Sequence, residues 1–147
     1  MRTFDQLVAE AANYIKELMP WDLAEKLEQT SPLIVDVREP DEFDAMHIAN
    51  SLNIPRGILE AASESGYDET HNELSNARDR QVIVVCRSGK RSHLAAYTLH
   101  QLGFKDVASL KTGLRGWNDF DQPMINKNKQ EVDGDDAEEF LKPKIIS

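Results

Sequence analysis

A length of 147 residues and a formal net charge of −9 set the first limits on what this protein can be. The length predicts one domain, with a core large enough to need no disulfide or metal ion to hold it. The negative charge disfavours binding to nucleic acids and to anionic membrane surfaces, and no apolar run approaches the ~18–20 residues that span a bilayer. Acidic residues interrupt the amphipathic N-terminal pattern, so we expect no signal peptide. The single cysteine, Cys86, excludes an intramolecular disulfide and favours a cytoplasmic location.

The first half of the sequence predicts short helices alternating with strands. The apolar spacing of residues 4–18 predicts one amphipathic helix, which Pro20 ends. Residues 33–37 form a compact apolar run rich in β-branched residues, and this predicts a buried strand. The other elements predicted here are a helix at residues 22–27 with Asp22 as its N-cap, a helix at 40–46, a strand at 51–55, helical turns at 57–62 and a short helix near 72–77.

The second half contains the strongest strand of the sequence, residues 82–86, which runs directly into a loop at residues 87–91. A helix over residues 92–102 follows, with Gly103 where a left-handed cap is expected. A last strand at residues 107–110 leads into a final helix. Strands that alternate with short helices predict an α/β fold around a mainly parallel sheet.

The tail, residues 126–147, has a different character from the rest of the chain. It mixes Asn, Lys, Gln, Asp and Glu with few apolar residues, so we expect it to be mobile. Its end, residues 140–146, is more apolar and could dock on a partner or on the domain itself.

Cys86 stands where a functional group is expected in such a fold, at the carboxyl end of a buried strand and ahead of a helix. The loop after it can turn amide N–H groups toward the sulfur, and Gly89 permits the backbone angles that this requires. The helix N-terminus and the cations Arg87, Lys90 and Arg91 add positive potential, which favours a thiolate over a thiol of ordinary pKa about 8.5. A small buried hydrophobic residue is the alternative interpretation, but it does not explain this loop. We therefore interpret Cys86 as a nucleophile.

Four motifs in order make the sequence resemble the rhodanese family. They are LIVDVREPDEF (33–43), HIANSLNIP (47–55), CRSGKRS (86–92) and GLRGW (113–117). The resemblance covers about residues 23–124, and it implies a rhodanese-like three-layer domain over residues 21–125, with a mainly parallel central sheet flanked by helices. Residues 1–20 would then be an N-terminal amphipathic helix, and residues 126–147 an acidic tail outside the domain.

The resemblance implies sulfur transfer through a persulfide on Cys86. The thiolate would attack the outer sulfur of a donor such as thiosulfate and release sulfite, and a thiol, cyanide or a protein acceptor would then remove that sulfur. No cofactor, metal ion, nucleic acid or membrane takes part in this scheme. The small sulfur-containing anion would be bound by the loop residues Arg87, Ser88, Gly89, Lys90, Arg91 and Ser92. Asp36 would accept hydrogen bonds from the loop, and capping of the turn after its strand is the alternative role. From its spacing, Arg38 is expected to form a structural ion pair with Glu42, four residues on, and a contribution to the anion field of the loop is the alternative.

Two other functions remain open from the sequence. Rhodanese-like phosphatases and arsenate reductases have five residues between the cysteine and the arginine, whereas four separate Cys86 from Arg91. The shorter loop suits one sulfur atom better than a phosphate. A binding or regulatory module with little turnover is the other alternative, because the N-terminal helix and the tail could dock a partner. Ser88 stands where thiosulfate-preferring relatives carry a lysine, which bears on the choice of donor.

Overall fold

The computed structural model describes residues 1–143, which contain a five-stranded parallel sheet. Its strands are β1 (Lys16–Leu18), β2 (Leu33–Asp36), β3 (Leu52–Asn53), β4 (Gln81–Val85) and β5 (Asp106–Leu110). They lie in the order β1-β5-β4-β2-β3, and every neighbouring pair is parallel. The predicted α/β fold around a parallel sheet is confirmed.

Helices cover both faces of this sheet. They are α1 (Phe4–Ala12), α2 (Pro20–Gln29), α3 (Pro40–Ala45), α4 (Leu59–Ala62), α5 (Asn72–Ser75), α6 (Lys90–Gln101), α7 (Gly113–Asp119) and α8 (Gly134–Leu141), with one 3-10 turn at Arg56–Ile58. Successive strand side chains point to opposite faces, so Leu33 and Val35 join the core under α4, α5 and α6, while Ile34 joins the core under α2, α7 and α8. Within residues 1–143, no helix has both the length and the apolar character needed to cross a membrane.

The helix predicted over residues 4–18 is wrong in its second half. Helix α1 ends at Ala12, and residues 16–18 form strand β1, which pairs with the edge of β5. A segment of three residues, Lys16–Leu18, is too short for its pattern to distinguish a helix from a strand, and here pairing with the open edge of β5 decides. Pro20 then begins α2 as its first residue. Asp22 is not the N-cap, but its carboxylate accepts a hydrogen bond of 3.0 Å from the Met19 amide.

The tail predicted to be mobile contains a helix. Asp133 caps α8 by accepting hydrogen bonds from two backbone amides of its first turn, and Ala137 and Leu141 are buried in the same core as Trp117. Two well-spaced apolar residues are therefore enough to anchor an otherwise polar helix once α7 offers a surface. The docking predicted for residues 140–146 falls partly on residues 144–146, which lie outside the described residues.

Strand β4 is central, and its carboxyl end delivers Cys86 to the N-terminus of α6. Its neighbours bring their own residues to the same end of the sheet. Asp36 of β2 is in register with Val85, and Ser109 of β5 is in register with Val84. The parallel sheet thus brings Asp36, Cys86 and Ser109 together at the carboxyl ends of its strands, although they are far apart in sequence.

Candidate active site

The sulfur of Cys86 lies in a cradle of backbone amides. The residue is 1% exposed, and its Sγ accepts hydrogen bonds from the amide of Gly89 at 3.1 Å and from that of Ser92 at 3.3 Å. Gly89 adopts a left-handed conformation, with φ of 102°, and caps the N-terminus of α6. The first amides of a helix have no acceptor within it and carry a partial positive charge. Both features favour negative charge on this sulfur.

The loop is pressed against the turn that follows β5. A Cβ atom on Gly89 would lie 2.1 Å from the Lys111 carbonyl oxygen, and one on Gly113 would lie 2.5 Å from the Arg87 carbonyl oxygen. The amide of Leu114 donates to the Cys86 carbonyl at 2.9 Å. The backbone of residues 111–114 therefore fixes the loop from behind, and both glycines are needed for this approach.

Arg91 is held by a residue outside the loop. Its two terminal nitrogens donate to the two carboxylate oxygens of Glu42 at 2.9 and 3.0 Å, and both side chains are partly buried. Burial alone would raise the pKa of the Glu42 carboxyl, but hydrogen bonds from Arg91 and from the Glu39 amide, with the charges of Arg91 and Arg38, outweigh burial and lower that pKa. Glu42 therefore neutralises part of the charge that Arg91 was predicted to offer to a substrate.

The other two loop cations also contact distant segments. Arg87 donates from its Nε to the Leu141 carbonyl at 2.9 Å, and its Nη2 donates to the carbonyls of Phe140 and Lys142, so it caps the C-terminus of α8. Lys90 lies 2.7 Å from an Asp5 carboxylate oxygen, and it also lies near the ring of Phe4 in α1. Sequence reasoning missed these partners because each is more than fifty residues from the cation that it contacts.

Asp36 and Arg38 form a fully buried ion pair. The Nη2 and Nε atoms of Arg38 lie 2.8 Å and 3.0 Å from the carboxylate oxygens of Asp36, and both side chains are 0% exposed. Arg38 also donates to the Met46 carbonyl at 2.6 Å. The predicted structural ion pair is present, but the partner is Asp36 and not Glu42, since a turn of two residues brings the side chains together. The Asp36 carboxylate also accepts a hydrogen bond of 3.1 Å from the Arg38 amide, so it caps the turn after β2, which was the alternative role. The hydrogen bonds from the loop that the resemblance implied are not among its contacts within residues 1–143.

The two serines of the loop differ in their surroundings. Ser88 is exposed to solvent, whereas Ser92 is 0% exposed and contacts Sγ of Cys86 through both its amide and its hydroxyl. Two further residues, Ser109 and His93, follow the Ser92 hydroxyl in a series of hydrogen bonds, and neither had a role in the sequence analysis. No spacing signal relates Ser109 to Cys86, because only the register of β4 and β5 places them together. Within residues 1–143, no three His, Cys, Asp or Glu side chains are grouped so that they could hold a metal ion.

Comparison with known proteins identifies the family. Residues 19–120 match the family model of the rhodanese-like domain, which covers most of the chain. The chain belongs to the rhodanese-like family. The parallel sheet is therefore that of a rhodanese-like domain, the family that the four sequence motifs predicted. The loop between β4 and α6 lies within the matched residues.

Two curated relatives carry names that concern sulfur. This rhodanese-like chain is 36% identical over 92 residues to a putative mitochondrial thiosulfate sulfurtransferase of Schizosaccharomyces pombe, a match that covers 60% of this chain and 65% of that protein. It is 34% identical over 110 residues to a putative sulfur carrier protein, YrkF, of Bacillus subtilis, with 74% of this chain and 54% of that protein covered. The chain spans less than two thirds of the length of either relative.

Solved structures agree with the rhodanese-like fold. A Rhodopseudomonas palustris protein of unknown function, described as a possible tyrosine phosphatase, superposes with a TM-score of 0.76 at 28% identity, covering 84% of this chain and 95% of that one. A thiosulfate sulfurtransferase of Pseudomonas aeruginosa superposes with a TM-score of 0.67 at 23% identity, covering 92% of this chain and 25% of that one. The second likeness concerns the fold alone.

Replacing Glu42 by glutamine is expected to lower the free energy of unfolding by about 1–2 kcal/mol at neutral pH, because two charge-assisted hydrogen bonds to Arg91 are weakened. The pKa of Glu42 is lower in the folded protein than its ordinary value of 4.5. The stabilisation is therefore complete above that value and is lost as the pH falls through the lowered folded pKa. Urea unfolding from neutral pH to about pH 3 measures the loss.

Asp44→Asn is the matched control, since Asp44 is an exposed carboxylate on the same helix. Its effect on stability should be small at every pH. The stabilities of the wild type and Glu42→Gln should converge in acid, and a constant difference over the whole range would contradict the ion pair as its cause.

Proposed function

We propose that this rhodanese-like chain is a sulfurtransferase that carries a sulfane sulfur as a persulfide on Cys86. The observation that carries the proposal is the amide cradle of Gly89 and Ser92 around Sγ, at the N-terminus of α6. Positive potential at this point stabilises a thiolate, and it would equally stabilise a persulfide whose outer sulfur is negative. The relatives named for sulfur transfer and sulfur carriage support the same chemistry.

The proposed reaction has two steps. The thiolate of Cys86 attacks the outer sulfur of a small donor of the thiosulfate type; a new S–S bond forms, the old one breaks, and sulfite leaves with the electron pair. A thiolate or cyanide then attacks the outer sulfur of the persulfide and takes it away, which returns the Cys86 thiolate. A persulfide-accepting protein can stand in place of the small acceptor. No cofactor is needed to balance either step.

The loop residues have different parts in this proposal. Gly89 and Ser92 hold the sulfur through their amides, while Arg91 supplies positive charge beside it. The outer part of the loop would contact the donor or the acceptor as it approaches Cys86; its residues are Arg87, Ser88 and Lys90. Asp36 and Arg38 support the end of the sheet on which the loop stands. One reduced cysteine as the reactive group fits a reducing compartment, and we propose the cytoplasm.

A sulfur carrier with little turnover is the second candidate function. It is favoured by the contacts of Arg87 with α8 and of Lys90 with α1, which occupy two cations that could otherwise bind a free anion. A persulfide delivered by another protein would need fewer free cations than a thiosulfate dianion. A phosphatase is disfavoured, because the loop has one residue fewer than that chemistry uses and Arg91 is bound by Glu42.

Intact-mass measurement with a panel of donors tests the proposal. Incubation with thiosulfate, a mercaptopyruvate-type donor or a low-molecular-weight persulfide is expected to add one sulfur atom, and subsequent addition of cyanide or a thiol should remove it. Because the chain has one cysteine, the adduct can only report on Cys86. An enzyme should cycle many times with one of these donors, whereas a carrier should load once and release slowly. If no donor adds sulfur to a protein whose thiol is free, the proposal is wrong.

A further inference from the structure

A chain of hydrogen-bonded side chains runs from Cys86 into the interior. The Sγ atom lies 3.4 Å from the hydroxyl of Ser92, which lies 2.7 Å from the hydroxyl of Ser109. The Ser109 hydroxyl lies 2.9 Å from Nδ1 of His93. Both serines are 0% exposed and His93 is 5% exposed, so this chain has little contact with solvent. A buried thiol is thereby connected to a buried imidazole through two hydroxyl groups.

The far side of the imidazole faces a carboxylate. Nε2 of His93 lies 3.6 Å from a carboxylate oxygen of Glu17 in β1, and the other oxygen of Glu17 lies 3.5 Å from the Lys111 ammonium. Elsewhere around the site, Lys90 is paired with Asp5, and Arg91 is paired with Glu42. The Glu17 carboxylate is thus the negatively charged group that faces Nε2. The chain therefore has a proton donor at one end and a group suited to hold that proton at the other.

We propose that His93 holds the proton that Cys86 releases, and so acts as a positioning residue for the thiolate. In the thiol form, Sγ–H donates to Ser92, and the Ser92 hydroxyl turns from the Gly89 carbonyl oxygen, which lies 3.0 Å away, to donate to Ser109. The Ser109 hydroxyl donates to Nδ1 of His93. In the thiolate form, every one of these bonds points the other way. The S–H bond breaks, an Nδ1–H bond forms, and each serine accepts one proton and passes one on.

Proton transfer along this series of hydrogen bonds has a consequence for the charge of the site. The thiolate forms together with an imidazolium, so the net charge of the interior does not change when the nucleophile is made. Glu17 stabilises the imidazolium, and the amides of Gly89 and Ser92 stabilise the sulfur. The inference rests on the proposed function only in taking Cys86 as the nucleophile. It concerns the protonation of the sulfur and not the identity of the donor.

Titration of the Cys86 thiol, followed by the ultraviolet absorbance of the thiolate, tests the hydrogen-bonded connection to His93 in matched variants. His93→Gln and Ser109→Ala should each move the titration midpoint of Cys86 upward by about one pH unit, and the double variant by no more than either alone. Ser109→Thr keeps the hydroxyl and should leave the midpoint near that of the wild type. His100→Gln removes an exposed histidine from the same helix and should have no effect. Unchanged midpoints in folded His93→Gln and Ser109→Ala would overturn the inference.

Nuclear magnetic resonance of the His93 ring gives a second test, in which only Cys86 is replaced and Ser92, Ser109 and His93 are kept. At neutral pH the ring should be an imidazolium in the wild type and neutral in Cys86→Ser, because the second protein lacks the acidic thiol. The same ring charge in both proteins would overturn the inference even if His93→Gln does not fold. Failure of every donor to form a persulfide would refute the proposed function, and it would leave both of these readouts intact.

Discussion

Replacing Cys86 by serine is expected to lower the rate of sulfur transfer at least about 10³-fold, and to abolish the sulfur adduct in the mass spectrum. A serine hydroxyl is far less nucleophilic toward sulfur than a thiolate, and it cannot form a persulfide. The shape of the buried site changes little, so the cradle of Gly89 and Ser92 remains. Turnover with the best donor of the panel, measured beside the thermal unfolding of both proteins, separates lost chemistry from lost structure.

A relocated thiol provides the matched control. The double variant Cys86→Ser/Ser65→Cys carries one cysteine, as the wild type does, but at an exposed position outside the cradle. It should react with ordinary thiol reagents and should still fail to transfer sulfur. Transfer at the wild-type rate by either variant would show that the cradle around position 86 is not the site of the reaction.

The variant Asp36→Ala is expected to lower the free energy of unfolding by about 3–5 kcal/mol, because it leaves the charge of Arg38 buried without a counter-ion. Arg38 and Asp36 are both 0% exposed, and three nitrogen–oxygen distances between the side chains lie within 3.2 Å. A loss of this size is a large part of the about 5–15 kcal/mol that stabilises a typical domain. Urea unfolding measures it directly.

A double variant separates the ion pair from simple loss of packing. Asp36→Ala/Arg38→Met removes both charges, and it should be more stable than Asp36→Ala alone, since no unpaired charge stays in the core. The hydrogen bond from Arg38 to the Met46 carbonyl is lost in that protein, so we expect partial recovery only. A double variant less stable than the single one would contradict the assignment of the effect to an isolated buried charge.

The region from β4 through the loop to α6 was predictable because its signals are local. The apolar run of residues 82–85, the glycine at position 89 and the amphipathic helix after it are neighbours in sequence, and no distant partner is needed to interpret them. Strand β1 and helix α8 were missed for the opposite reason. β1 exists because β5 offers a free edge, and α8 because α7 offers an apolar surface. Neither partner is visible in the segment itself.

The same contrast applies within the candidate active site. The cysteine, its glycine and its cations could be named from one heptapeptide, whereas the groups that bind those cations could not. Asp5 and Glu42 belong to α1 and α3, and the carbonyls that accept from Arg87 belong to the end of α8. Charged side chains in a loop can be recognised in the sequence. Tertiary contacts decide whether those side chains are bound to other residues or are available to a ligand.

The contacts of α1 and α8 with the loop matter for anyone who shortens this protein. A minimal fragment limited to the family match, residues 19–120, would keep the cysteine and every motif. It would nevertheless release Lys90 from Asp5 and Arg87 from the carbonyls of residues 140–142. Both cations of the loop would then lack these partners. We expect that fragment to attract small anions more strongly than the chain from which it was cut.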